Sequence, residues 1–201
     1  LLENYAHMYP IMKADRSFFI GTMQGRLLPK YKGRYQGFPP RTWQQEFQLA
    51  ADLGLDLIEF ILDYEDAMRN PLMDDLGLRD ITSIVEDTGV QVRTICADYF
   101  MEAPLHHDNE TIRNNSRKVL ERLVLHASLL GVTDVVIPCV DQSSLKSSDD
   151  LAFFCESMKA VIPLAERTHV NMALETDLAP GPFCSLLERL DAPCIRVNYD
   201  T

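Results

Sequence analysis

The sequence is short of positive charge. It carries 19 lysines and arginines against 30 aspartates and glutamates, a net charge of −11 over 201 residues. Such an acidic chain is a poor general partner for nucleic acid or an anionic membrane surface, and neither partner is expected. No apolar run reaches 18 residues, so no transmembrane helix is predicted. No basic stretch followed by an apolar run opens the chain, so no secretory signal is read there. Histidine is scarce: there are five, and none sits in an HExxH or Cys/His zinc pattern. The five cysteines, Cys96, Cys139, Cys155, Cys184 and Cys194, are odd in number and form no CxxC pair. That argues for free thiols, mostly buried, and a cytoplasmic location. No G-x-S-x-G elbow supports serine hydrolase chemistry. The turn after the first apolar run, Met23-Gln24-Gly25-Arg26, is not the G-x-G-x-x-G of a dinucleotide fold.

What is present is alternation. Six short apolar runs rich in β-formers occupy residues 17–22, 57–62, 91–97, 134–139, 170–175 and 194–199. Helical patterns lie between them at 41–53, 74–88, 110–130, 149–168 and 183–190. The runs are continuously apolar, as in Val135-Val136-Ile137, which suits a parallel sheet covered by helices. Helix-to-strand links are tight, with Gly54, Gly89 and Gly131 just past helix ends. Strand-to-helix links are long and polar. That asymmetry describes a (β/α)8 TIM-barrel type of α/β fold, with its site at the carboxyl ends of the strands. A doubly wound open sheet is the alternative. Six strands are countable where eight are needed, so the barrel reads as truncated after the sixth. Residue 1 is leucine and Met12 would be a natural start. Residues 1–16 therefore read as a leader or added segment, and 17–201 as an incomplete barrel domain.

Carboxylates gather at the predicted strand ends. Glu59 lies inside the second run, Asp98 follows the third, Glu175 ends the fifth and Asp200 ends the sixth. From consecutive barrel strands these would converge on one mouth, and hard divalent cations favour such oxygen donors. Asp141 and Asp177 fit helix capping and turn chemistry as well. His106-His107 stands in the long loop after the third run, where it could meet a substrate hydroxyl or phosphate, with His107 the candidate, or simply belong to a solvated loop. His126 and His169 read as structural. Gln24 and Arg26 open the longest loop and could point into the mouth. With Lys30, Lys32, Arg34 and Arg41 they make a basic segment in an acidic chain, which could hold a phosphate or simply be a solvated loop.

At this point the residues resemble the sugar phosphate isomerase/epimerase group of xylose-isomerase-like barrels, nearest to L-ribulose-5-phosphate 3-epimerases and hexulose-phosphate isomerases. The markers are Gly21-Thr22-Met23-Gln24-Gly25-Arg26, Leu53-Gly54-Leu55-Asp56-Leu57-Ile58-Glu59-Phe60, Ala173-Leu174-Glu175 and Tyr199-Asp200-Thr201. The resemblance implies a metal-dependent enzyme acting on a small sugar or sugar phosphate, with possible self-association. It implies one divalent ion (manganese, cobalt, magnesium or zinc) held by Glu, Asp, His and Glu. Glu175 and Asp200 match the first two ligands; the other two would come from a seventh and an eighth strand. It further implies proton abstraction next to a carbonyl through an enediolate, with Glu175 as ligand and acid–base. Gln24, Arg26, Glu59, Asp98 and His107 would bind substrate. Competing expectations are a related barrel dehydratase, a phosphodiesterase acting on abasic DNA, disfavoured by charge and few histidines, and a non-catalytic truncated barrel serving in binding or assembly.

Overall fold

A computed structural model describes residues 18–199. Asp200, and the proposed leader 1–16, lie outside the described residues. Six parallel strands pair in chain order: β1 Gly21–Met23, β2 Leu57–Ile61, β3 Thr94–Cys96, β4 Asp134–Cys139, β5 Asn171–Thr176 and β6 Ile195–Val197. Helices follow the strands: α1 Trp43–Asp52, α2 Asp75–Thr88, α3 Tyr99–Glu102, α4 Glu110–Leu130, α5 Ser148–Thr168 and α6 Pro180–Leu190. This is the (β/α) barrel arrangement, each strand paired in parallel with its neighbour in sequence. Among the described residues no helix is long and apolar enough to cross a membrane.

The core lies between strands and helices. Trp43 of α1 packs edge-on against Phe47 and against Phe60 of β2, while Phe47 meets Phe60 at a tilt, with ring centroids 5.6–6.4 Å apart. Helix ends are set by local chemistry. Asp74 caps α2, Asn109 caps α4, and Ser147 with Asp150 forms a capping box on α5. Gly89 and Gly131 close α2 and α4 at φ 72°, the left-handed region where a Cβ is costly.

Three strands are markedly shorter than the sequence pattern, β6 keeping only Ile195–Val197 of the run 194–199. β1 is confined to Gly21–Met23, although Asp56 and Leu57 still donate to the Ile20 carbonyl. A Cβ on Gly21 would stand 2.7 Å from the Leu57 Cβ, so glycine permits the close pairing with β2. The third run begins with a lone bridge, Gln91 to Leu57, before β3 pairs Ile95 with Phe60. The register slips by one residue between these pairs, which leaves Val92 and Arg93 as a bulge. Arg93 then turns its carbonyl to the backbone of Thr133.

Candidate functional site

A cavity of about 820 Å³ opens at the carboxyl ends of the strands. Period-2 alternation aims Glu59 of β2 and Glu175 of β5 into it, while Ile58 and Phe60 turn to the core. The loop after β2 adds Asp63 and Glu65, the segment after β3 adds Asp98 and Glu102, and the turn after β4 adds Asp141. Arg26, Lys32 and Arg34 come from the long loop after β1.

Buried hydrogen bonds shape that long loop. Glu46 of α1 is fully buried, and its carboxylate accepts from the Gly25 N–H at 2.7 Å and the Leu27 N–H at 3.0 Å. Successive N–H groups around a carboxylate form an anion nest filled by the chain itself. Burial nevertheless raises the Glu46 pKa above the usual carboxylate value, with the backbone bonds opposing. Farther along, Asp63 accepts from the Phe38 N–H at 2.7 Å and from Arg34 Nη1 at 3.2 Å. Lys32 pairs with Glu65, and Lys30 lies over the Tyr35 ring at 4.1 Å. Two cations of the basic segment, Lys32 and Arg34, are therefore neutralised by carboxylates within the fold.

Asp98 begins α3 but its side chain makes no capping bond. Instead Gln36 Nε2 donates to it at 3.2 Å and the Cys96 thiol at 3.1 Å. Burial pushes its pKa up, against the pull of those two donors. Cys96 is raised well above the usual thiol range by burial and then by the charges of Asp98, Glu59 and Glu175. Glu175 accepts from Asn198 Nδ2 at 3.1 Å, just past β6.

The cavity thus gathers Arg26, Glu59, Asp98 and Glu175 of the residues singled out from sequence. Gln24 is placed elsewhere. It is fully buried, and its Oε1 accepts from the Ile61 N–H at 3.0 Å, locking the loop to the end of β2. His107 also does not line the cavity. Its loop packs into the helical layer, where His106 stands edge-on to Phe154 of α5 and His107 Nδ1 accepts from the Asn109 N–H. His126 accordingly has a structural contact, Nδ1 to the Leu72 carbonyl at 2.7 Å. Sequence reasoning passed over Asp63, Gln36, Glu102 and Asn198. Asp63 follows the run 57–62 directly, and the strand-end rule that found Asp98 finds it too; Asn198 lies inside the run 194–199 and comes just past the strand only because β6 ends at Val197. Gln36 carries no such signal.

Carboxylate oxygens suit a hard divalent cation. Glu175 has that chemistry and position, but no group of three or more His, Cys, Asp or Glu side chains is gathered to hold a metal among the described residues. The described chain supplies one donor of such a site rather than a closed set.

Comparisons with known proteins bear on this geometry. The chain is 24% identical over 167 residues to an L-ribulose-5-phosphate 3-epimerase of Salmonella typhi, covering 79% of this chain and 58% of that protein. The chain thus spans little more than half the length of that relative. A D-psicose 3-epimerase with D-tagatose from Clostridium cellulolyticum H10 superposes with a TM-score of 0.66 at 16% identity, over 90% of this chain and 62% of that one. A xylose isomerase-like TIM barrel protein from Mycobacterium smegmatis in complex with magnesium gives 0.65 at 14% identity, over 92% and 65%. These solved structures share the fold. The family model for xylose isomerase-like TIM barrels matches residues 47–201, from α1 through every later strand, and the chain belongs to that family.

Proposed function

We propose that this chain forms most of the active-site mouth of a divalent-metal-dependent sugar or sugar phosphate epimerase or isomerase. Its reaction moves a proton next to a carbonyl through an enediolate. One observation carries the reading: Glu175, a carboxylate on a strand end of a sugar-epimerase-like barrel, faces the cavity and is oriented by Asn198. Glu175 and Asp200 are the residues of this chain that would hold the cation. When bound, the cation supplies Lewis acidity toward the sugar's carbonyl oxygen. Glu175 takes the proton from the neighbouring carbon, a role that contributes about 10²–10⁴-fold. Asp98 and Glu59 accept sugar hydroxyls, and Arg26 donates to an oxygen at the mouth. Gln36 holds Asp98 in place from the loop above.

The test is Glu175→Gln in the intact protein, assayed on ketoses and their phosphates. Turnover is expected to fall by at least ~100-fold with the circular dichroism spectrum unchanged. An unaltered epimerase rate rejects the assignment. Exhaustive chelation should abolish turnover, and manganese, cobalt, magnesium or zinc should restore it. Activity that survives chelation rejects the metal dependence.

A further inference from the structure

Of the four buried thiols, one lies in the cavity. Cys96 lines it beside Glu59, Asp98 and Glu175, whereas Cys139, Cys155 and Cys194 do not. A buried thiol ordinarily serves as a small apolar side chain. Cys96 has different surroundings. Burial holds its proton on, and the charges of Asp98, Glu59 and Glu175 hold it further. A protonated thiol among carboxylates is a donor.

Strand periodicity gives that donor its acceptor. Residues two apart on a strand share a face. The spacing Cys96-Ala97-Asp98 therefore brings thiol and carboxylate to the cavity, while Ala97 between them joins the hydrophobic core. Cys96 Sγ donates to Asp98 Oδ1 at 3.1 Å, and Gln36 Nε2 donates to Oδ2 at 3.2 Å. One oxygen is held from β3 and the other from the loop after β1.

Asp98 is also spared its usual local duty. It stands at the N-cap of α3, where an aspartate commonly accepts from backbone N–H groups. It makes no such bond. The Tyr99 N–H goes to the Leu62 carbonyl at 2.7 Å, and the Met101 N–H to the Asp98 carbonyl at 2.9 Å. A carboxylate has about four acceptor positions. The thiol and the amide use two, and the others serve sugar hydroxyls. We propose that Cys96 is a positioning residue: its thiol, opposite Gln36, fixes the Asp98 carboxylate as an acceptor turned toward the sugar. This rests on the epimerase reading above.

Two variants separate a donor from a space-filler. Cys96→Ser keeps a donor, and Cys96→Val keeps bulk without one. In the intact, metal-loaded protein, Cys96→Val is expected to raise KM for a ketose about fivefold with kcat nearly unchanged, as for one lost hydrogen bond made equally in ground and transition state. Cys96→Ser should stay near the wild type. A packing role reverses that order, so serine worse than valine, or no change in either, overturns the inference. The pH profile of sugar binding gives a second readout. Burial raises the Asp98 pKa; Asp63 adds to it, and the Cys96, Gln36 and Arg34 side chains oppose it. Losing the thiol leaves burial less opposed. Affinity of Cys96→Val should then fail on the acid side at a higher pH than that of the wild type, and a profile that does not move counts against the thiol. An infrared measurement needs neither turnover nor a change at Cys96. Asp98→Asn weakens the acceptor, so one S–H stretching band should move to higher frequency. An unchanged S–H region overturns the inference even if the variants at Cys96 fail to fold. Wild-type protein that turns over no ketose sinks the epimerase reading, whatever the S–H band does.

Discussion

Glu46 shows how a single buried carboxylate can serve a site it never touches. It lies on α1, yet it fixes the turn at Gly25 and Leu27 from which Arg26 reaches the cavity. Replacing it with alanine strands two backbone donors in the interior, at about 1–3 kcal/mol each. Glu46→Ala is therefore expected to cost roughly 2–6 kcal/mol, read as a lower urea midpoint, and to raise KM through a loosened loop. Its pH behaviour has a definite sign. Burial raises the folded-state pKa above that of the unfolded chain. The folded chain then binds the proton more tightly, so this contribution is complete below the unfolded value and is lost as pH rises through the folded one. Glu46→Gln keeps an acceptor and does not titrate. The wild type should lose stability relative to that variant as pH rises from about 4.5 toward neutrality. A difference that stays flat in urea titrations across that window rejects the burial effect.

At the scale of elements, α2 carries the sharpest packing prediction. Gly77 sits in its first turn, where a Cβ would stand 2.3 Å from both the Cα and the carbonyl oxygen of Pro71. Glycine-to-alanine changes in a helix normally stabilise by about 1 kcal/mol. Overpacking against backbone costs about 1–3 kcal/mol or more, so the sign reverses. Gly77→Ala should lower the melting temperature by several degrees, and a rise by calorimetry would show that the two segments separate freely. Nothing in the sequence announces this contact, because Pro71 and Gly77 meet through a fold in the loop rather than through periodicity. The elements themselves were legible for the opposite reason. Continuous apolar runs and glycine stops are local signals, and α4 occupies the residues its pattern predicts, Glu110–Leu130. Strand ends were legible too, since β/α order alone brings Glu59, Asp98 and Glu175 to one mouth. Gln24 and His107 were not, because a loop residue's direction depends on partners distant in sequence, here Ile61 and the helical layer. Gln36 was invisible for the same reason, lying 62 residues from the Asp98 it holds.

At the scale of the whole molecule, the described sheet ends on two strands, β1 and β6, each paired on one side. Apolar residues stand out beside both edges: Phe18 is 63% exposed, Phe19 66%, Val197 49% and Tyr199 83%. Unpaired backbone beside exposed apolar side chains is a template for pairing with another chain. Residues 18–199 produced as a fragment should therefore self-associate, with a light-scattering mass that climbs with concentration. Phe19→Lys together with Val197→Lys should return the fragment toward a monomer, because charge on an edge opposes pairing. Salt separates this from ionic association. The chain's net charge of −11 repels other copies, and salt screens that repulsion while leaving apolar burial in place. Association through the edges must then strengthen as salt rises. Association that weakens with salt is carried by ion pairs instead, and a fragment that stays monomeric at every concentration and salt has edges shielded by its own loops.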